Sequence, residues 1–212
     1  MSDAMTVLGR GKAGRALSAA LSVPNLPHDA TPEGLVILAV PDRAIAEVAT
    51  RFMGRCCHLS GSLHLDDVPA AHPLVSFDGT PRDFLGIPLA LTGRVPTGIV
   101  DALTRLGFVP FDLPPEHKAL YHAAAVLTSG HAATLWLGAE MLLKQAGVVL
   151  PGRGLLPLAQ ATLDNVATHG ASGRTGPFVR GDEATIARDR NALSEPWGQI
   201  FEILGHAPID VG

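Results

Sequence analysis

The stretch Thr6-Val7-Leu8-Gly9-Arg10-Gly11-Lys12-Ala13-Gly14 decides the fold. A short apolar strand runs into Gly-x-Gly-x-x-Gly, and Ala13 to Leu21 then has helix-favouring composition. In such a strand–turn–helix unit the first glycine allows the tight turn. The second lets the backbone approach a pyrophosphate, and the third lets helix and strand pack closely. The helix start would face an anion with free N–H groups and the positive end of its dipole. Gly9, Arg10, Gly11, Lys12 and Gly14 are therefore expected to hold a dinucleotide, with Arg15 adding charge.

Outward from this turn, the chain alternates strands with helices. Leu35 to Val40 is a continuous apolar run, as a buried parallel strand requires. Pro41-Asp42 ends it, and Arg43 to Phe52 reads as a helix. Cys56 to Leu59, Val75 to Phe77 and Pro88 to Leu91 read as further strands. Ile99 to Leu106 reads as a helix and Val109 to Phe111 as a last short strand. Such alternation predicts a layered α/β domain with a Rossmann-type parallel sheet. After Leu113-Pro114-Pro115 the texture becomes helical: Glu116 to Gly147, Leu155 to His169, Glu183 to Leu193 and Trp197 to Leu204. The expected domains are residues 1–113 and 114–212.

One segment is short. Ser22 to Gly34 holds 13 residues, enough for a second strand and a turn but not for strand, helix and strand. A residue about 20 positions past the glycines usually reads the ribose. Asn25, His28 and Asp29 are the polar residues available there.

Composition limits the alternatives. With 212 residues, 47% hydrophobic and 17% charged, the chain can bury a sizeable core and is not disordered. A net charge of −4 and 5% aromatics give no nucleic-acid surface. Cys56 and Cys57 are too few and too close for a disulfide framework or a zinc knuckle. They read as strand residues in a reducing compartment. Met1 to Met5 has neither the charged lead nor the apolar core of a signal peptide, so a cytoplasmic location is expected. Ala119 to Ala139 carries no charged residue but is too polar for a lone membrane span. It reads as a buried helix, and the long helix from Glu116 to Gly147 as the interface of a homodimer formed through the helical domain.

Several motifs taken in order resemble a known family. They are Ala39-Val40-Pro41-Asp42; His58-Leu59-Ser60-Gly61; His72-Pro73-Leu74; Lys118-x-x-Tyr121-His122-Ala123-Ala124-Ala125; and Thr175-Gly176-Pro177-Phe178-Val179-Arg180-Gly181-Asp182. The series is similar to Rossmann-like proteins with a DUF2520 C-terminal domain. These are relatives of pyrroline-5-carboxylate reductase, ketopantoate reductase and the 6-phosphogluconate dehydrogenase group. The resemblance implies a NADP or NAD cofactor, a helical dimerising domain of the 6-phosphogluconate dehydrogenase type and a cleft between domains. Val40, Pro41 and Asp42 join the expected cofactor site. The chain departs from the family pattern at Ser129-Gly130 and at Asp189, and in the shortened segment after the first helix.

The residue types suggest chemistry of their own. Lys118 and His122 are four apart on one helix, so they share a face, and Tyr121 lies beside them. A desolvated Lys or His can protonate an atom that gains charge as hydride arrives. His58 and Ser60 sit at the carboxyl end of a strand, the edge where open parallel sheets bind ligands. The expected catalytic set is therefore Lys118, His122, His58 and Ser60. His72, Tyr121, Asn165 and Arg180 are expected near a small carboxylate-bearing substrate. Asp182 reads equally as a helix cap. No compact ligand spacing marks a metal site. The leading reading is an NAD(P)-dependent oxidoreductase. A non-catalytic ligand-binding or regulatory protein with a degenerate nucleotide site, and a metal-dependent hydrolase using the histidines, are the alternatives.

Overall fold

The computed structural model describes residues 4–209, so the reading of Met1 to Asp3 lies outside it. The chain divides into two compact units, residues 1–132 and 133–212. The first unit includes the start of the long helix that follows Pro115, which the sequence places in the helical domain.

The first unit is built on a seven-stranded sheet. Its strands are β1 (Met5–Leu8), β2 (Asn25–Leu26), β3 (Leu35–Leu38), β4 (Cys56–His58), β5 (Ala70–Pro73), β6 (Pro88–Thr92) and β7 (Val109–Asp112), in the order β2-β1-β3-β4-β5-β6-β7. All neighbours are parallel except β5 and β6, which run antiparallel. The expected parallel sheet is thus mostly parallel. Helices α1 (Lys12–Leu21), α2 (Asp42–Ala49) and α3 (Thr97–Arg105) connect the strands. Two apolar cores lie against the sheet. One joins Val7, Leu17, Ile37, Leu89, Ile99 and Phe108; the other joins Leu8, Leu38, Ile45, Val48 and Phe52. Burial on both faces explains why β3 reads as an uninterrupted apolar run.

The strand expected at Val75–Phe77 does not form; Ala70–Pro73 takes its place. Val75 and Phe77 are apolar for another reason. They pack onto the first core, with Phe77 against Phe84 at 6.2 Å between ring centroids. His72 therefore stands on a sheet strand, paired with Ala90, rather than on a loop.

After a short 3₁₀ turn at Pro115–His117, the chain runs helical through α4 (Lys118–Val126), a π-helical turn at Leu127–His131 and α5 (Ala132–Gln145). The second unit continues with α6 (Leu156–His169), α7 (Pro177–Arg180), α8 (Glu183–Asn191) and α9 (Trp197–Gly205). Here Gly138 sits against the Trp197 ring, and Phe178 makes ring contacts with Phe201 and His206 at 5.0 and 5.1 Å. No helix of the described residues is long and apolar enough to cross a membrane.

Candidate functional site

Two cavities open where the sheet's carboxyl edge meets the loops. The first lies at the glycine turn and measures about 760 Å³. Gly9 has φ +111°, a conformation that side chains rarely adopt, and a Cβ there would strike the Ala39 carbonyl. At Gly14 a Cβ would strike the Gly9 carbonyl, so the helix can approach the turn only without one. Gly11 is different: nothing lies within 4 Å of a Cβ built there. Its open side leaves room for a ligand. As the N-cap of α1, Gly11 offers no side-chain cap, and no acid sits in the first turn. The N–H groups of that turn remain available to an anion. The cavity is also lined by Arg10, Lys12, His28, Val40, Pro41 and Arg43. Asn25 braces the turn, its side-chain amide donating to the Gly9 carbonyl at 2.8 Å.

The second cavity, about 420 Å³, is lined by His72, Ser76, Tyr121, His122, Thr128 and Ser129 together with Leu74, Val75 and Val126. His72 Nδ1 and the Tyr121 hydroxyl are 3.0 Å apart. The rings of His72 and His122 are 6.2 Å apart and edge-on. Gly61 forms the seat of this pair. A Cβ at that position would lie 2.8 Å from His122 Cδ2 and 2.9 Å from His72 Nε2. Burial, and then the neighbouring His122 and Lys118, push the His72 imidazole down to about 4. His72 is accordingly neutral near pH 7. Burial pushes the Tyr121 phenol up to about 12.

Behind this trio lies a polar junction. Lys118 is only 1% exposed, and its ammonium donates to the Ser60 carbonyl at 3.1 Å. The Ser60 hydroxyl donates to Asp42 Oδ2 at 2.8 Å and accepts the Leu63 N–H at 3.0 Å. His58 is fully buried, and its Nδ1 accepts the Ser60 N–H at 3.2 Å. With Nδ1 accepting, the neutral ring carries its proton on Nε2, which has no hydrogen-bond partner. Burial, then Lys118, push the His58 imidazole down to about 4. Burial lowers the Lys118 ammonium too, while Asp42 works in the opposite direction. The junction fixes the start of α4 onto the loop after β4 through buried hydrogen bonds.

The expected site residues thus separate. His72, Tyr121 and His122 line the second cavity. Lys118, His58 and Ser60 sit in the junction, where Lys118 and Ser60 are hydrogen-bonded and His58 Nε2 has no partner. Asp42 borders the same junction, where its Oδ2 accepts the Ser60 and Ser62 hydroxyls. In the second unit Asn165 does not face inward as expected; it is exposed on α6, as are the other residues from Ala161 to Gly170. Arg180 is exposed at the end of α7. Asp182 caps α8 by accepting the Thr185 N–H at 3.1 Å, which accounts for the polar turn in structural terms. Gly61 and Ser76 belong with the trio in space. The spacing of the sequence does not bring either of them beside His122. Among the described residues, no three His, Cys, Asp or Glu side chains form a metal-holding group.

The family model described as a domain of unknown function, DUF2520, matches residues 90–207, more than half of the chain. The chain belongs to the DUF2520 family. No curated protein matches its sequence. Among solved structures, this DUF2520 protein is similar to a "putative NADP oxidoreductase" of Bacteroides fragilis, with 19% identity, 97% of each chain covered and a TM-score of 0.79. It is also similar to a Thermotoga maritima protein, with 22% identity, 95% of each chain covered and a TM-score of 0.72. A reductive aminase of Aspergillus terreus, in complex with NADPH and ethyl levulinate, shares 16% identity over 98% of this chain and 95% of its own, with a TM-score of 0.59. At these identities the likeness establishes the Rossmann-type fold followed by a helical region.

Proposed function

We propose that this DUF2520 protein is an NAD(P)-dependent oxidoreductase of a small substrate, working as a homodimer through its helical unit. The observation that carries the reading is the pairing of two cavities at one sheet edge. One is a phosphate-friendly glycine turn. The other is lined by a hydrogen-bonded imidazole–phenol pair. The neighbouring folds that have NADPH or NAD+ in their complexes support the same cofactor class.

Gly9 and Gly11, with Arg10 and Lys12, would hold the pyrophosphate, Gly14 would let α1 approach the turn, and Val40 and Pro41 would wall the same cavity. The nicotinamide supplies a hydride. The chain's own residues handle the proton. Tyr121, held by neutral His72, stands ready to donate its hydroxyl proton to the substrate atom that gains charge, and His122 borders the same space. Lys118, His58 and Ser60 act one layer back, as positioning residues that fix the Gly61 seat. The Ser76 hydroxyl and the His122 imidazole are the groups this cavity offers to a substrate carboxylate, since the Thr128 and Ser129 hydroxyls donate to the Ala124 and Ala125 carbonyls.

Titration with NADPH and NADH, read by thermal unfolding, tests the cofactor. Saturable binding should stabilise the fold by about 2.7 kcal/mol at a hundredfold excess over Kd. No binding of either at millimolar concentration overturns the reading.

A further inference from the structure

No fixed positive charge lines the second cavity. Among the described residues its walls hold neither arginine nor lysine, nor any acid. Thr128 and Ser129 belong to the π-helical turn on one side. Their hydroxyl protons go to the carbonyls of Ala124 and Ala125, at 3.0 and 2.7 Å. Each oxygen then has only lone pairs left to offer, which a carboxylate cannot use. Tyr121, whose phenol burial pushes up to about 12, keeps its proton for the reacting atom. His72 is committed as well. Its Nδ1 is 3.0 Å from the Tyr121 hydroxyl, its Nε2 lies against Gly61, and burial holds the ring neutral. The Ser76 hydroxyl and the His122 ring remain for an anion.

His122 is half-buried at the cavity wall. From β5, the His72 ring meets it edge-on at 6.2 Å. From the loop after β4, Gly61 gives its Cδ2 room that a Cβ would close to 2.8 Å. On its own helix, Tyr121 lies beside it and Lys118 one turn before it, with the Lys118 ammonium donating to the Ser60 carbonyl at 3.1 Å. Asp42, at the start of α2, accepts the Ser60 and Ser62 hydroxyls. Among the described residues no carboxylate pairs with His122. An imidazole is the side chain that ordinarily changes charge between about pH 5 and 8, and a carboxylate brought beside it favours the charged form. The rings of Tyr121 and His122 both stand around His72, at 5.5 and 6.2 Å between centroids. A carboxylate at His122 and a reacting C=O or C=N at Tyr121 are therefore only a few bonds apart.

We infer that His122 determines the specificity of this cavity: it takes up one proton as a short oxo acid, or the imino acid derived from it, binds, and pairs as imidazolium with the carboxylate while the C=O or C=N meets Tyr121. The inference rests on the reductase reading above and names the substrate class of that site. Acid and proton enter together, so the filled cavity gains no net charge. An uncharged ester gains nothing from the pairing.

Calorimetric titration of the full chain tests it, with pyruvate and 4-oxopentanoate as the acids and their ethyl esters as uncharged probes. Saturating NADP+ replaces NADPH so that no turnover occurs, and a parallel titration omits it. Heats measured at pH 8 in phosphate and in Tris, whose ionisation enthalpies differ, count the protons. Close to one proton should be taken up per acid bound, and none per ester. From pH 7 to pH 8 the affinity for the acid should fall by about tenfold, the linkage for one proton, while that for the ester stays within about twofold. His122→Gln keeps a hydrogen-bond donor but cannot take up the proton, so uptake and pH dependence should both vanish. His122→Asn gives the same reading if the glutamine variant does not fold. Binding of an acid without proton uptake, uptake that survives in the variant, or no binding of any probe overturns the inference. If neither NADPH nor NADH binds while an acid still takes up its proton on the free chain, the cofactor reading falls and the assignment of His122 stands.

Discussion

The two units are made from similarly apolar sequence and use it differently. In the first, Leu8, Leu17, Ile37, Leu38, Phe52, Leu89 and Ile99 are all within 1% of full burial. In the second, Ile186, at 7% exposure, is the one buried apolar side chain among the described residues. Trp136, Leu137, Leu158 and Leu163 remain 51%, 68%, 66% and 59% exposed. A sheet covered on both faces satisfies its own apolar surface. A thin layer of helices does not, and large exposed apolar patches mark an interface. A second copy of the chain is the occupant proposed above, since a helical face low in charge can serve both sides of a two-fold contact.

That contrast is broken most directly by sedimentation equilibrium. A dimer is expected at micromolar concentration, and Leu137→Asp with Leu158→Asp should weaken it by at least about a hundredfold, the effect of burying unpaired carboxylates in an apolar contact. A wild-type monomer would contradict the proposed dimer. The first unit answers to chemistry instead. Tyr121→Phe should reduce the rate of NADPH oxidation in the presence of a turned-over carbonyl or imine by about a hundredfold or more, the usual contribution of a positioned proton donor. Its NADPH affinity should stay within about twofold. An undiminished rate removes Tyr121 from the proton path.

Glycines sharpen the comparison at smaller scale. Gly14→Ala sets a methyl against the Gly9 backbone carbonyl, and Gly138→Ala sets one against the Trp197 ring. Overpacking of this kind costs about 1–3 kcal/mol. The Gly14 change should lie at the upper end, because backbone cannot swing away as a side chain can. It should also abolish cofactor binding, whereas Gly138→Ala should leave NADPH affinity unchanged. Denaturant midpoints and NADPH titration read the two effects separately.

The strand–glycine–helix unit was legible because every part is local: an apolar run, three glycines at fixed offsets and a helix-favouring stretch. The long helices were legible from composition for the same reason. The strand at Ala70–Pro73 was not, because four residues ending in proline carry little propensity, while Val75 and Phe77 imitate a strand through their packing. Lys118, Tyr121 and His122 could be singled out from helical spacing. Their division could not. Only the loop after β4 determines that Lys118 turns into the Ser60 carbonyl while Tyr121 reaches His72 on another strand. Asn165 shows the opposite failure, since a polar residue in an apolar helix suggests an inner face that this helix does not have within its own chain. The hydrogen bonds of Arg51 and Arg55 to the carbonyls of the loop between β2 and β3 left no motif at all. They depend on side chains more than 20 residues away meeting loop carbonyls.

Acid stability draws on the buried histidines of the junction and the second cavity. His58 ordinarily titrates near 6.5, and in the folded chain burial and the Lys118 charge hold it at about 4, against the weaker pull of Asp42. Between those two values the unfolded chain binds more protons than the folded one. Stability is therefore fully present above about 6.5 and is lost as pH falls toward 4. The slope implies a loss of about 1–2 kcal/mol between pH 7 and pH 5 for this histidine alone. His72 adds a term of the same sign, since it is displaced in the same direction. His58→Asn removes the titrating group, so the variant, although less stable at pH 7, should show a flatter dependence of the urea midpoint on pH. If the His58 variant keeps the full slope, the buried imidazole is not what makes the fold acid-sensitive.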